Sequence, residues 1–121
     1  MLDLTSITVT IAATASLSTA ANLGIKTLVA ISLPSNWTAA SLSFQVSGDG
    51  GTTFQELWDG VAGTAVAVAA GAGLASNFIA MSNDGIWSGV NCLKVRSGSS
   101  GTPVAQTNTV AVTLWMRTVA F

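Results

Sequence analysis

The sequence predicts an all-β protein: an antiparallel β-sandwich, jelly-roll-like, with about eight strands in two sheets. Three features of the 121-residue chain point there. Apolar and polar residues alternate with period two in several runs, most cleanly where Val110, Val112, Leu114 and Met116 interleave with Thr109, Ala111, Thr113, Trp115 and Arg117. Clusters of Gly, Ser, Asn and Asp separate these runs at short intervals. No stretch holds the 3.6-residue period of an amphipathic helix, and neither an internal repeat nor a composition break divides residues 1–121, so one domain is expected.

The first strand is expected over residues 5–13, with Ile7, Val9 and Ile11 on one face and Thr8 and Thr10 on the other. Residues 14–24 are small and polar and read as a loop or short edge segment. In residues 25–33, Ile25, Thr27, Val29, Ile31 and Leu33 oppose Lys26, Leu28, Ala30 and Ser32. Two largely apolar faces predict a central strand, which Pro34 ends. Leu42, Phe44 and Val46 alternate with Ser43 and Gln45, and Gly48-Asp49-Gly50-Gly51 tolerates the positive φ of a tight loop, so residues 42–58 should form a hairpin. On its return strand Phe54 and Leu57 have opposite parity, and burying both requires a bulge near Gln55-Glu56.

Further on, Ala65, Ala67 and Ala69 alternate with Val66 and Val68 before a hinge at 71–73. Residues 76–81 form a short strand ended by the turn 82–85, and Trp87 covers one end of the core. Residues 91–97 turn Leu93 and Val95 inward and Cys92, Lys94 and Arg96 away, followed by a flexible loop at 97–101. The last strand, 108–117, is expected to lie beside the first and close one sheet.

The hairpin carries a resemblance. Ser47, Asp49, Gly51, Thr53 and Phe54 match the S-x-D-x-G-x-T-(W/F) pattern of the Asp-box, a turn found on unrelated β proteins. It implies a capping role for Asp49 and a packing role for Phe54, and no chemistry. From Leu33-Pro34 through Arg117, the order of LP, FQVSGDGGTTFQELWD, LKVRSG, PVAQT and TLWMR is similar to small proteins encoded among the virion genes of tailed bacteriophages and prophages. This resemblance implies a particle component, found on the virion after assembly in the cytoplasm of a bacterial host.

Only 7% of residues are charged and the formal net charge is −1, whereas soluble domains average about 25% charged residues. A surface of Ser, Thr, Gly, Ala and Asn suits a protein covered by neighbouring subunits, so a homo-oligomer is expected. Four basic residues, Lys26, Lys94, Arg96 and Arg117, are too few to grip nucleic acid. The apolar run 61–75 is short and interrupted by glycine, which argues against membrane insertion. Asp3 and the threonines after it are foreign to a secretion signal. Cys92 is the single cysteine and has no partner for an internal disulfide.

Histidine and tyrosine are absent, which removes His-based triads and histidine metal sites. The carboxylates are Asp3, Asp49, Glu56, Asp59 and Asp84. Glu56 and Asp59 fall on opposite faces of an extended strand, too far apart for a retaining glycosidase pair. Cys92, near Lys94 and Arg96, lacks a histidine base and reads as a small buried hydrophobe. Asn83 and Asp84, or Asp59, offer loop oxygens without the ligand density of a calcium site, so no metal and no cofactor are expected. Trp37 and Trp87, placed in or near loops, are the candidates for stacking on a glycan. Trp115, turned away from the apolar face of its strand, is the candidate partner contact, with Arg117 beside it and Arg96 near it.

The expected function is that of a non-enzymatic virion structural protein: an oligomeric, capsid-associated decoration or the base of a head spike or fibre. The alternative is a carbohydrate-binding module gripping host surface glycan, and the next a tail or baseplate accessory protein.

Overall fold

The computed structural model describes residues 4–69, 74–81 and 86–118. Among them lie eleven strands: β1 (Leu4–Ile11), β2 (Ala21–Asn22), β3 (Lys26–Ser32), β4 (Leu42–Ser47), β5 (Gln55–Glu56), β6 (Trp58–Asp59), β7 (Thr64–Ala65), β8 (Ala67–Val68), β9 (Phe78–Ala80), β10 (Cys92–Ser97) and β11 (Val110–Thr118). One 3-10 turn, Ile86–Gly89, precedes β10. Every pairing is antiparallel. The first sheet has the order β1-β11-β3-β9 and the second β2-β10-β4-β5, with β8 also on β4. The chain thus passes from one of these sheets to the other at most connections, an antiparallel all-β architecture.

Alternation in the sequence becomes burial in the structure. Val9 and Ile11 of β1, Ile31 of β3 and Val110, Val112 and Leu114 of β11 face Leu42, Phe44, Leu93 and Val95 from the second sheet, each no more than 1% exposed. β1 and β11 pair without a break from Leu4↔Arg117 to Ile11↔Val110, the expected closure by the first and last strands. β3 is interior, as its two apolar faces require. Its register slips against β11 between Trp115 and Met116, so Leu28 and Ile31 both enter the core despite their opposite parity. Ile25, placed by its parity on the same face as Ile31, is 72% exposed beyond the turn at Gly24 and lies outside the strand.

The segment after the hairpin departs from expectation: it carries four short strands where two were expected, and β2, in the stretch read as a loop or short edge segment, brings the described strands to eleven. β5 pairs with β4 for two residues, Gln45↔Glu56 and Val46↔Gln55, in unbroken register. No bulge is needed, because Phe54 does not enter the core. Leu57 donates its N–H to the Phe44 carbonyl and packs on the core, while Phe54 lies on the outer side of the sheet under the Lys94 ammonium, 4.4 Å from its ring centroid. β6 and β7 form a separate hairpin, and the chain rejoins β4 at β8.

The loop at 97–101, expected to be flexible, is tied down. Ser97 and Gly98 donate to the carbonyls of Ser16 and Ser41, each at 2.7 Å, and Val104 donates to Ser97 at 2.8 Å. Gly98 has φ +92°, and a Cβ there would stand 2.5 Å from the Thr102 carbonyl oxygen. Glycine is required by space as well as by conformation. The hinge at 71–73 and the turn at 82–85 lie outside the described residues. No helix among the described residues is long and apolar enough to cross a membrane.

Candidate functional site

The Asp-box-like hairpin is built around two side chains. Ser47, at the end of β4, donates its hydroxyl to Asp49 Oδ1 at 2.6 Å and accepts the Gly51 amide at 2.8 Å. Asp49 Oδ1 also accepts the amides of Thr52 and Thr53 at 3.1 and 2.8 Å. The Ser47 hydroxyl first, and then the Thr53 amide, hold the Asp49 carboxyl down at about 2. Gly51 has φ +101° and passes over Cys92, whose sulfur would be 3.5 Å from a Cβ at that position. Cys92 is 4% exposed but outside the core cluster, so the hairpin covers it from the outer side of the sheet.

Next to the hairpin on that outer face, Arg96 and Glu56 form a two-pronged ion pair, with Nη1–Oε1 and Nη2–Oε2 both at 2.6 Å. Gln45 donates to Glu56 Oε2 at 3.0 Å, and Arg96 Nη1 to Ser43 Oγ at 3.2 Å. The hydrogen bonds from Arg96 hold the Glu56 carboxyl below its usual range, and those to Glu56 raise the Arg96 guanidinium. Arg96 is 7% exposed. Its charge is spent inside the molecule and it belongs to the second sheet, so it is not a partner contact beside Trp115.

The other sequence candidates separate cleanly. Trp37 and Trp87 are 6% and 4% exposed, so neither offers an indole face to a sugar. Trp87 meets Phe44 edge to face at 4.8 Å and closes the core, as its expected covering role requires. Asp59 accepts the amides of Val61 and Ala62 at 2.8 and 3.1 Å, which is turn chemistry. Asn83, Asp84 and Asp3 lie outside the described residues. Among the described residues no three of Cys, Asp and Glu gather as metal ligands would.

Trp115 and Arg117 stand on the outer face of the first sheet. Trp115 Nε1 donates to Ser32 Oγ at 2.7 Å across β3, and its ring meets that of Phe78 at 5.9 Å with a 46° tilt. Ala30, opposite Trp115 and Ala80 in register, is 2% exposed although it lies outside the core cluster, so this outer aromatic layer buries it. Phe78 remains 59% exposed, and Leu4, opposite Arg117, 48%. The result is an aromatic patch of Phe78 and Trp115 beside the Ser32 hydroxyl, with Leu4 exposed separately on β1 opposite Arg117.

Two features escaped the sequence reading. Gln106 is fully buried: its side chain accepts the Thr38 amide at 2.7 Å and donates to the Thr38 carbonyl and Ser97 Oγ at 3.0 and 2.8 Å. It staples three loops, and nothing in its sequence neighbourhood marks it. Trp58 is 58% exposed and Val61 fully exposed on the β6–β7 hairpin; the Asp59-Gly60 turn signal was the available clue.

No protein-family model, curated protein or solved structure matches this chain.

Proposed function

We propose that this chain is a non-enzymatic structural protein of a phage or phage-derived particle, an oligomeric capsid-associated decoration or the base of a head spike. The observation that carries the proposal is the outer face of the first sheet, where the Phe78 ring, 59% exposed, leans on Trp115 and presents aromatic surface on a chain with few charges. Aromatic side chains supported by a rigid sheet are the usual energetic centre of a protein contact. Trp115 is pre-positioned by Ser32, so little side-chain freedom is lost on docking. The likeness of the chain to virion-gene products supplies the setting. The ionisable groups of the second sheet hold structure together, with Glu56 on Arg96 and Asp49 in its turn, which suits a mechanical role.

The test is to purify particles from the producing strain and quantify the chain against the major capsid subunit by mass spectrometry. A fixed ratio that collapses in Phe78→Asp, a change at an exposed ring, is the expected result. Particles that never contain the wild-type chain overturn the proposal.

A further inference from the structure

The four lateral edges of the two sheets are unequal. The second sheet ends in the two-residue β2 on one side and in the two-residue β5 and β8 on the other, and the first sheet ends in the three-residue β9. Short edges are a standard protection against pairing with other chains. The fourth edge, β1, runs eight residues, LTSITVTI, with no charge, proline or register break. Thr19 covers it at Thr10 alone, and from Leu4 to Thr8 it carries none of the common devices that keep an edge from adding a strand among the described residues.

The direction of its free groups follows from one contact. Thr10 accepts the Thr19 amide through its carbonyl at 3.0 Å and gives its own amide to Thr19 Oγ1 at 3.2 Å, so both groups of Thr10 point away from β11. Strand geometry then points the N–H and C=O of Leu4, Ser6 and Thr8 the same way. These six groups have no partner among the described residues, and Ser6 and Thr8 are exposed.

We infer that β1 pairs antiparallel with β1 of a second copy of this chain about a two-fold axis at Ser6. Ser6 then faces the partner's Ser6, and Leu4 faces the partner's Thr8. This register satisfies all six groups. A shift that sets Ser6 against Thr8 would bring Leu4 against Thr10, whose groups are already held by Thr19. A self-paired strand meets its own charges, and this one carries none, so no repulsion opposes the match. Thr5 and the half-buried Ile7 face each other across the seam and lose their remaining exposure. Two four-stranded sheets become one of eight strands, with both Phe78–Trp115 patches on a single continuous face. The inference deepens the oligomeric part of the function proposed above and rests on it only there.

Two substitutions at one residue test it by sedimentation velocity over a concentration series. Ser6→Pro deletes an outward amide at the centre of the seam while leaving the β1–β11 ladder intact, a position where edge strands accept proline. Wild type should sediment as a dimer, and Ser6→Pro as a monomer with an unchanged circular-dichroism spectrum. Ser6→Cys should form an intermolecular disulfide under mild oxidation, because facing residues in such a pair have Cα atoms about 5.5 Å apart. A wild-type monomer at about 100 μM, where even weak protein pairs assemble, overturns the inference. So does a dimer that survives Ser6→Pro, or the absence of the disulfide. A β1-linked dimer missing from particles overturns the function instead, and a monomer present on particles overturns the dimer alone.

Discussion

At the scale of single residues, Asp49 shows how a charge can serve a turn without serving chemistry. Its carboxylate collects the Ser47 hydroxyl and two amides, and they hold its proton affinity down at about 2 against an ordinary 3.8. A carboxyl whose folded value is lowered contributes stability above the ordinary value, and that contribution is lost as pH falls through the folded value. The hairpin should therefore hold from neutrality to about pH 4 and loosen between there and about 2. The Asp49 carboxyl resonance, followed by NMR, should titrate in the lower part of that window. Asp49→Ala should release Gly51 from its place over Cys92 and raise the rate of thiol labelling at neutral pH roughly tenfold, the factor that one net hydrogen bond represents. An unchanged labelling rate would mean that other contacts hold the lid over the sulfur.

At the scale of elements, the strands with clean alternation were legible: β1 and β11 bury the residues that their parity predicts. β4 and β10 bury Leu42, Phe44, Leu93 and Val95 as predicted but also Ser43, Ser47, Cys92 and Arg96 on the other face. Period two reports which side chains face one way. It does not report what covers the other side. Phe54 was therefore assigned to the core through a bulge, when it stays on the outer face against Lys94, and Arg96 was assigned to a partner, when Glu56 holds it. Both errors concern contacts between strands distant in sequence, which no local pattern encodes. The loop after β10 is the sharper case, because glycine and serine there look permissive yet fold into a tight turn tied down through Ser97, Gly98, Ser99 and Val104. Gly98→Ala should cost on the order of 3 kcal/mol, from a strained left-handed φ together with a backbone clash, read as a lowered midpoint in chemical denaturation. Gly101→Ala, with open space at its Cβ position, is the matched control.

At the scale of the whole molecule, the alternation into two sheets was readable and the division of tryptophans was not. Trp37 and Trp87 sit in connecting segments, where an indole reads as exposed, yet the sandwich closes over both of them. Trp115 sits in a strand, yet stands outside the core as its parity requires. Three of the four basic side chains are engaged: Lys26 donates to Thr5 at 2.9 Å, Lys94 lies on Phe54, and Arg96 is gripped by Glu56. Arg117 is left beside the Phe78–Trp115 patch, and on a chain with so few charges Coulombic attraction has a small share in what the molecule offers to its neighbours. Raising sodium chloride from about 10 mM to 1 M shrinks the screening length from about 30 to 3 Å, yet self-association should not weaken. Ammonium sulfate, which is excluded from protein surfaces, should tighten it. Measured dissociation constants that rise tenfold or more across the sodium chloride series would show that charge, and not apolar and backbone contact, holds the copies together.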